Sequence, residues 1–184
     1  MTKSKQVAAG GIAASLCLLL MFLTGLFPFA TYALPAAAGT LLIVVVLECG
    51  RATAVMAYVS VSLLSLFITP DKEAAMVFLV FFGYYPILKG MIEKLRNRPL
   101  ELVIKFLLFN GSVVSSYLIA ANLLGMGYLL EGVYDYGRYG IYALLLAANL
   151  MFSCFDRALT GLISAYIYHF RPKYIGKWNQ KPHQ

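Results

Sequence analysis

The sequence predicts an all-α, polytopic membrane protein, folded as a compact six-transmembrane-helix bundle with both termini in the cytoplasm. Hydrophobic residues make up 61% of the 184 residues and the mean hydropathy is +0.77, which is too apolar for a soluble domain of this length. The apolar residues form six long runs, most of which reach or approach the ~20 residues that cross a hydrocarbon core of ~30 Å. Lysine and arginine are concentrated in alternate joints between these runs.

The six runs predict helices at about residues 7–29, 33–47, 52–68, 74–90, 100–124 and 139–168, in one transmembrane domain that covers residues 1–184. Residues 171–184 are expected to form a polar cytoplasmic tail. Backbone groups in a bilayer must be hydrogen-bonded within the protein, so only helices or a closed barrel can span it. The strand-like alternation of an outer-membrane barrel is absent from the sequence, which leaves the helical bundle.

The first run has a rival interpretation as a cleaved signal peptide, because Lys3 and Lys5 precede it and Ala36-Ala37-Ala38 could serve as a cleavage region. The apolar stretch is longer than a typical signal-peptide core, and cleavage would leave an odd number of spans. We therefore expect the first helix to be retained.

Turn-forming residues mark the joints. Gly50 is expected to end the second helix, and Asp71 is placed to cap the fourth. Pro86 predicts a kink near the inner end of the fourth helix, because proline removes one backbone hydrogen bond and crowds the preceding turn. The joint 89–99 that follows is predicted to be an amphipathic interfacial turn or a short helix.

The net charge of +7 is explained by orientation rather than by nucleic-acid binding. Cytoplasmic segments of membrane proteins carry an excess of lysine and arginine. With the amino terminus inside, the outer joints hold only Lys72 and Arg138, and Lys105 can extend to the inner surface from the fifth helix. The inner segments hold Lys3, Lys5, Arg51, Lys89, Lys94, Arg96, Arg98, Arg171, Lys173, Lys177 and Lys181.

No pattern of residues predicts catalysis, a cofactor or a metal site. The sequence contains no metalloprotease, serine-hydrolase or phosphate-binding-loop motif, and its two histidines lie at or beyond the inner end of the last helix. Cys17, Cys49 and Cys154 are isolated and have no spacing typical of a disulfide framework or a zinc site. We therefore expect a protein that is not an enzyme.

Asp156 and Arg157 are the most unusual residues within a span, because charges there are costly and usually face the bundle interior or water. Two interpretations stay open. In the first, a polar face of the sixth helix lines the path of a ligand or partner. In the second, Asp156 pairs with Arg157 or Lys105 and only fixes packing; this interpretation is favoured because Asp156 lies near the inner boundary. The members of this polar face are Asn149, Ser153, Asp156, Thr160 and Ser164.

Aromatic and amide side chains near the outer side are the candidate ligand-binding residues. Tyrosine planes with a few polar neighbours suit a small, flat molecule with polar edges, although an ordinary interfacial aromatic belt has the same composition. The candidates are Asn122 in the fifth helix, Tyr134 in the last outer joint, and Tyr139, Tyr142 and Asn149 in the sixth helix.

Ala9 and Ala13, near the start of the first helix, form a small-x-x-x-small pair that allows another helix to approach closely. With six helices, this length and both termini inside, the chain resembles the substrate-binding (S) component of an energy-coupling-factor (ECF) vitamin transporter, whose first helix carries the same A-x-x-x-A pattern. The resemblance implies a multi-pass protein of a prokaryotic cell membrane that captures a vitamin-like molecule from outside. It also implies that Ala9 and Ala13 dock a transmembrane coupling subunit, which works with ATPase subunits.

Within that family the ligand lies in the outer half of the bundle. The resemblance therefore places it near the 28–35 joint, Asn122, the tyrosine-rich last joint and Asn149. The alternative is a small membrane scaffold that binds partner helices and no small molecule, such as the rod-shape-determining subunit of the wall-elongation machinery. An enclosed outer cavity would favour the transporter subunit over the scaffold.

Overall fold

The computed structural model describes residues 3–95, 97–123 and 137–170, and this part of the chain is helical without strands. The predicted all-helical class is therefore confirmed. The helices are α1 Lys3–Leu23, α2 Ala33–Cys49, α3 Arg51–Ile68, α4 Lys72–Val77, α5 Tyr85–Ile92, α6 Arg98–Leu123 and α7 Gly137–Ala165. A 3-10 turn at Pro28–Ala30 precedes α2, and π-helical turns occupy Phe78–Phe82 and Tyr166–Phe170.

These helices match the six predicted runs, except that the fourth run is divided into α4 and α5. Among the described residues, five stretches are long and apolar enough to cross a membrane, and α2 is apolar but has only 17 residues. The five stretches are Lys3–Leu23, Arg51–Ile68, Lys72–Ile92, Arg98–Ser116 and Tyr142–His169. Length and composition thus indicate a membrane protein. We call the ends of the helices inner and outer according to the predicted orientation.

Local chemistry explains where the helices end. The hydroxyl of Thr24 donates to the Met21 carbonyl at 2.7 Å, where α1 stops. A single residue, Gly50, joins α2 to α3 with φ of +89°, a backbone conformation that favours glycine. The predicted cap is confirmed, because the Asp71 carboxylate accepts a hydrogen bond from the Ala74 amide at 3.0 Å. In the described part of the 89–99 joint, α5 continues to Ile92 and a turn follows, with the Lys94 amide donating to the Met91 carbonyl and the Leu95 amide to the Ile92 carbonyl, so the structure has the predicted turn and no separate helix.

Contacts divide the chain into residues Met1–Leu144 and Leu145–Gln184. Within the first unit, the fourth run is the most buried candidate span. Of the residues in its most apolar 18-residue stretch, 61% are buried, compared with 17% for α1 and 28% for α3. A first cluster joins α1, α2, α3 and the fourth run through residues that include Cys17, Leu42, Val61 and Phe78. A second cluster nearer the inner end contains Val45, Cys49, Ala54 and Ile87.

In the second unit, polar side chains of α7 bond to the backbone of their own helix. Asn149 Nδ2 donates to the Leu145 carbonyl at 2.8 Å, and the Ser153 hydroxyl donates to the Asn149 carbonyl at 2.9 Å. The Thr160 hydroxyl does the same toward the Asp156 carbonyl at 3.0 Å. Such bonds reduce the cost of placing polar groups in an apolar environment.

Candidate functional site

The fourth run breaks near its middle, and its backbone bonding shows how. The Gly83 amide donates to the Phe78 carbonyl at 2.8 Å, which is a bond across five residues instead of four. The Leu79 carbonyl therefore does not receive the Gly83 amide that a regular α-helix would supply. Three residues later, Pro86 has no N–H to offer the Phe82 carbonyl. The predicted kink at Pro86 is thus part of a longer interruption that begins at Phe78.

A side chain from α3 replaces one of these lost bonds. The Tyr58 hydroxyl donates to the Leu79 carbonyl at 2.7 Å, across 21 residues of sequence. The contact requires a glycine at position 83, because a Cβ there would lie 2.5 Å from Cδ2 of the Tyr58 ring. Irregular backbone at membrane depth is tolerated where the protein itself satisfies it, and Tyr58 meets that requirement at Leu79.

Helix α2 closes against the other side of the interruption. A Cβ on Gly39 would overlap the carbonyl oxygen of Phe82, so only glycine lets α2 approach this backbone. Gly39 is buried, as are Pro35 and Ala38 on the same helix. The two glycines, Gly39 and Gly83, therefore allow neighbouring elements to pack directly on the broken segment.

Helix α6 reaches the same segment through Ser112. The Tyr84 and Ser112 hydroxyl oxygens lie 2.6 Å apart, and Ser112 donates its own proton to the Leu108 carbonyl at 2.7 Å. Because that proton is already used, Tyr84 is the donor to Ser112. Two tyrosines thus connect the interruption to neighbouring helices: Tyr58 of α3 donates to the Leu79 carbonyl, and Tyr84 donates to Ser112 of α6.

Aromatic rings surround the interruption. The Phe81 ring stacks on Tyr85 with centroids 4.9 Å apart and meets Phe109 of α6 edge-on at 5.3 Å. Tyr58 lies 6.3 Å from Phe78 and 6.4 Å from Tyr84. Contacts of this kind add to area burial, so the segment is irregular in backbone but closely packed.

One face of α3 next to the interruption is polar. Tyr58, Ser62, Ser65 and Thr69 are spaced by four, three and four residues, which places them on one side of the helix. Ser65 donates to the Ser62 carbonyl at 3.0 Å, and the Ser62 hydroxyl interacts with Tyr58. The Thr69 hydroxyl is buried and makes no hydrogen bond within the described residues. Unsatisfied buried hydroxyls are uncommon in native proteins and mark this face as a candidate for binding a polar group.

Four charged residues form a network at the inner end. Lys89 Nζ lies 2.7 Å from Glu93 Oε1, and Lys105 Nζ bridges Glu93 at 3.2 Å and Glu101 at 2.7 Å. The Lys89 side chain is fully buried and that of Lys105 nearly so, while both carboxylates reach solvent. Buried ammonium groups require such partners, so the network holds the end of α5 against α6.

A second polar network lies at the outer end. The Thr31 hydroxyl donates to Asp71 Oδ2 at 2.9 Å, and the Tyr32 hydroxyl donates to the Glu73 carboxylate. Lys72 Nζ donates to the carbonyls of Leu66 and Thr69 at 2.8 and 3.0 Å, which places a cation at the C-terminal end of α3. The first two outer joints are thereby connected.

The described residues cover the predicted ligand-binding set only in part. Tyr142 is exposed and Asn149 is half-buried, with its amide bonded as given above. Asn122 lies in α6 and Tyr139 in α7, but their side chains are outside the described part of the structure, as is the whole of Tyr134. The predicted pocket stays a prediction.

The predicted docking residues lie partly within the fold. Ala9 and Ala13 are half-buried and pack against the second cluster of Val45, Cys49, Ala54 and Ile87. Gly11 has open space around its Cα. Docking of a partner subunit through Ala9 and Ala13 also stays a prediction.

Helix α6 carries a shallow, mostly apolar groove on its own surface. Gly111 and Ser115 lie in this groove, and no described residue comes within 4 Å of a Cβ built on Gly111. The lining residues are Phe106, Leu107, Asn110, Gly111, Val114 and Ser115.

Sequence reasoning found Pro86 but missed Gly83, and it missed Tyr58 as the hydrogen-bonding partner of the interruption. It also missed the burial of Lys89, which the charge pattern assigned to an inner joint. Comparisons of the chain with protein-family models, with curated proteins and with solved structures give no match.

Proposed function

We propose that this protein is a membrane-embedded substrate-capture subunit of an ECF-type importer, which binds a small vitamin-like molecule from the outer side of a prokaryotic cell membrane. The observation that carries the proposal is the interruption of the deepest helix at Phe78–Tyr84. Membrane carriers commonly bind substrate near the bilayer midplane, where discontinuous helices offer backbone groups that regular helices do not.

The chemistry around the interruption supports a neutral or weakly polar ligand. The buried Thr69 hydroxyl has unused hydrogen-bonding capacity, and the Tyr58 ring, 6.3 Å from the Phe78 ring, lies on the same face of α3. Near Tyr58 the described residues supply hydroxyls and carbonyls, whereas the carboxylates lie toward the two ends, Asp71 and Glu73 in the outer network and Glu93 and Glu101 in the inner one. A flat molecule with hydrogen-bonding edges fits such surroundings better than an ion does.

The outer aromatic and amide residues Asn122, Tyr134, Tyr139, Tyr142 and Asn149 are the further candidate ligand contacts of this proposal. A coupling subunit docks at the start of α1 near Ala9 and Ala13, and ATPase subunits act through it. The half-buried position of both alanines leaves part of each side chain accessible to a partner.

The second candidate is a membrane scaffold, and the packing at Gly39 favours it. Because α2 fits directly against the Phe82 carbonyl, the chain itself fills space at the interruption that a ligand would otherwise occupy. Large apolar side chains such as Phe67 and Met56 are also exposed on α3, where lipid or a partner helix would cover them.

Mass spectrometry of small molecules released from the purified protein distinguishes the two candidates. A capture subunit should release one compound at close to equimolar amount, and adding that compound to stripped protein should raise its melting temperature. Release of phospholipid alone, with no thermal shift from a panel of water-soluble vitamins, would reject the capture function and favour the scaffold.

A further inference from the structure

The carbonyl of Leu79 has two possible donors, and this choice defines two registers of the fourth helix. In the structure its donor is the Tyr58 hydroxyl, at 2.7 Å, while the Gly83 amide bonds to Phe78. In a regular α-helix the donor would be the Gly83 amide itself. Both arrangements satisfy the carbonyl, so exchange between them does not leave it unpaired.

We propose that the segment Phe78–Gly83 is a two-register switch, in which the Tyr58 hydroxyl holds the π-register and its release allows the α-register. A π-turn contains one more residue than the α-turn it replaces. Its conversion would turn α5 by about 100° about the helix axis and shift it by about 1.5 Å relative to α4. This switch is independent of the identity of any ligand.

The inner network would report such a movement. Lys89 lies on α5, is fully buried, and pairs with Glu93 at the end of the same helix. Glu93 also contacts Lys105 of α6 at 3.2 Å. A rotation of α5 by about one residue's turn would carry Lys89 away from its buried position and separate Glu93 from Lys105.

The glycines explain why the π-register is the one observed. Gly83 leaves room for the Tyr58 ring, and Gly39 leaves room for the Phe82 carbonyl. Both fits depend on the present position of the backbone, so they stabilise this register together with the Tyr58 bond. Helix α5 thus connects the Tyr58–Leu79 hydrogen bond at the interruption to the charged network at the inner end.

Lysine acylation of the full-length protein in detergent, read by mass spectrometry, tests the switch. Lys94 and Lys3 are exposed and serve as internal references for the reactivity of Lys89. Tyr58→Phe, which removes only the hydroxyl, should raise acylation of Lys89 at least about five-fold relative to Lys94. Ser60→Ala, an exposed site on the same helix, should leave the ratio unchanged. Gly83→Ala displaces the Tyr58 ring and should reproduce the effect by a second route.

Because coupling between two sites is reciprocal, a second experiment changes the inner charged network and measures amide hydrogen exchange at the interruption. Lys105→Met should speed amide hydrogen exchange in peptides covering 79–87 several-fold more than in peptides from α2, whose rates follow only the global loss of stability. The proposal is overturned if Lys89 stays unreactive in both folded Tyr58→Phe and Gly83→Ala variants. It is equally overturned if exchange in Lys105→Met rises as much in α2 as in 79–87, since that outcome is general loosening. If neither mid-helix variant folds, the Lys105→Met exchange pattern alone decides.

Discussion

Lys105 of α6 lies 3.2 Å from Glu93, which belongs to the end of α5, so an ion pair spans the inner joint between the two helices. Lys105 also contacts Glu101 one turn earlier on its own helix at 2.7 Å, and it is almost entirely buried. The joint is thus held by side chains from both helices, in addition to the backbone hydrogen bonds of Glu93, Lys94 and Leu95.

Removing this cation should destabilise the protein. Lys105→Met leaves Glu101 without its 2.7 Å partner. Loss of one member of a largely buried pair should lower the free energy of unfolding by about 1–3 kcal/mol, less than for a fully buried pair because both carboxylates reach solvent. Unfolding by sodium dodecyl sulfate in mixed micelles measures the change. Lys94→Met, at an exposed site, is the matched control and should change stability little; equal effects of both variants would contradict the assignment.

The close approach of α2 to the broken segment predicts an unequal response of glycines to alanine. Gly39→Ala places a Cβ against the Phe82 carbonyl and should cost about 1–3 kcal/mol, as overpacking in a rigid core does. Gly11→Ala, in open space on α1, should be neutral or stabilising by up to about 1 kcal/mol, because alanine favours helix. Thermal melting of the two variants side by side tests the difference, and a stable Gly39→Ala variant would show that the contact is not tight.

Asp71 should matter both as a helix cap and as a link between outer joints. Asp71→Ala removes the bond to the Ala74 amide and the bond from the Thr31 hydroxyl. Loss of a cap alone costs about 1 kcal/mol. A double-mutant cycle with Thr31→Val isolates the link, and we expect a coupling energy of at least about 0.5 kcal/mol. Additive effects of the two changes would show that the Thr31 contact contributes nothing.

Orientation can be tested by thiol labelling in intact cells, in a background where the exposed Cys154 is replaced by serine. A membrane-impermeant maleimide should modify Phe29→Cys, which is exposed at the first outer joint, without permeabilisation. Lys94→Cys, in the inner joint, should react only after the membrane is opened, because the positive charges of that joint favour the cytoplasm. Labelling of Lys94→Cys from outside would reverse the proposed topology.

If the capture function holds, Asn149 should contribute to ligand affinity. Asn149→Leu removes an amide that a polar-edged ligand could bond, and loss of one hydrogen bond of about 1 kcal/mol raises Kd about five-fold or more. Isothermal titration with the compound identified by mass spectrometry measures the change. The melting temperature without ligand should stay nearly constant, since the amide donates to the Leu145 carbonyl within its own helix. A lower ligand-free melting temperature with unchanged Kd would assign Asn149 to packing.

Much of the fold can be predicted from the sequence because its signals are local. Apolar runs locate the helices, Gly50 locates the tight turn between α2 and α3, and Asp71 locates the start of α4. Each of these depends on backbone chemistry within a few residues, so neighbouring side chains are sufficient to predict it. The same holds for Pro86, whose missing amide disturbs a helix wherever it lies.

The tertiary structure alone decided where the fourth helix breaks and what stabilises the break. The π-register at Phe78 depends on Tyr58, which is 21 residues away, and on the fit of Gly39 against Phe82. Likewise, the charge of Lys89 predicts an inner joint, but its burial depends on Glu93 and on the packing of α5. A hydrogen bond or a close fit between helices depends on their rotation and depth relative to each other. Hydrophobic periodicity does not specify either of these to within the ångström that such contacts require.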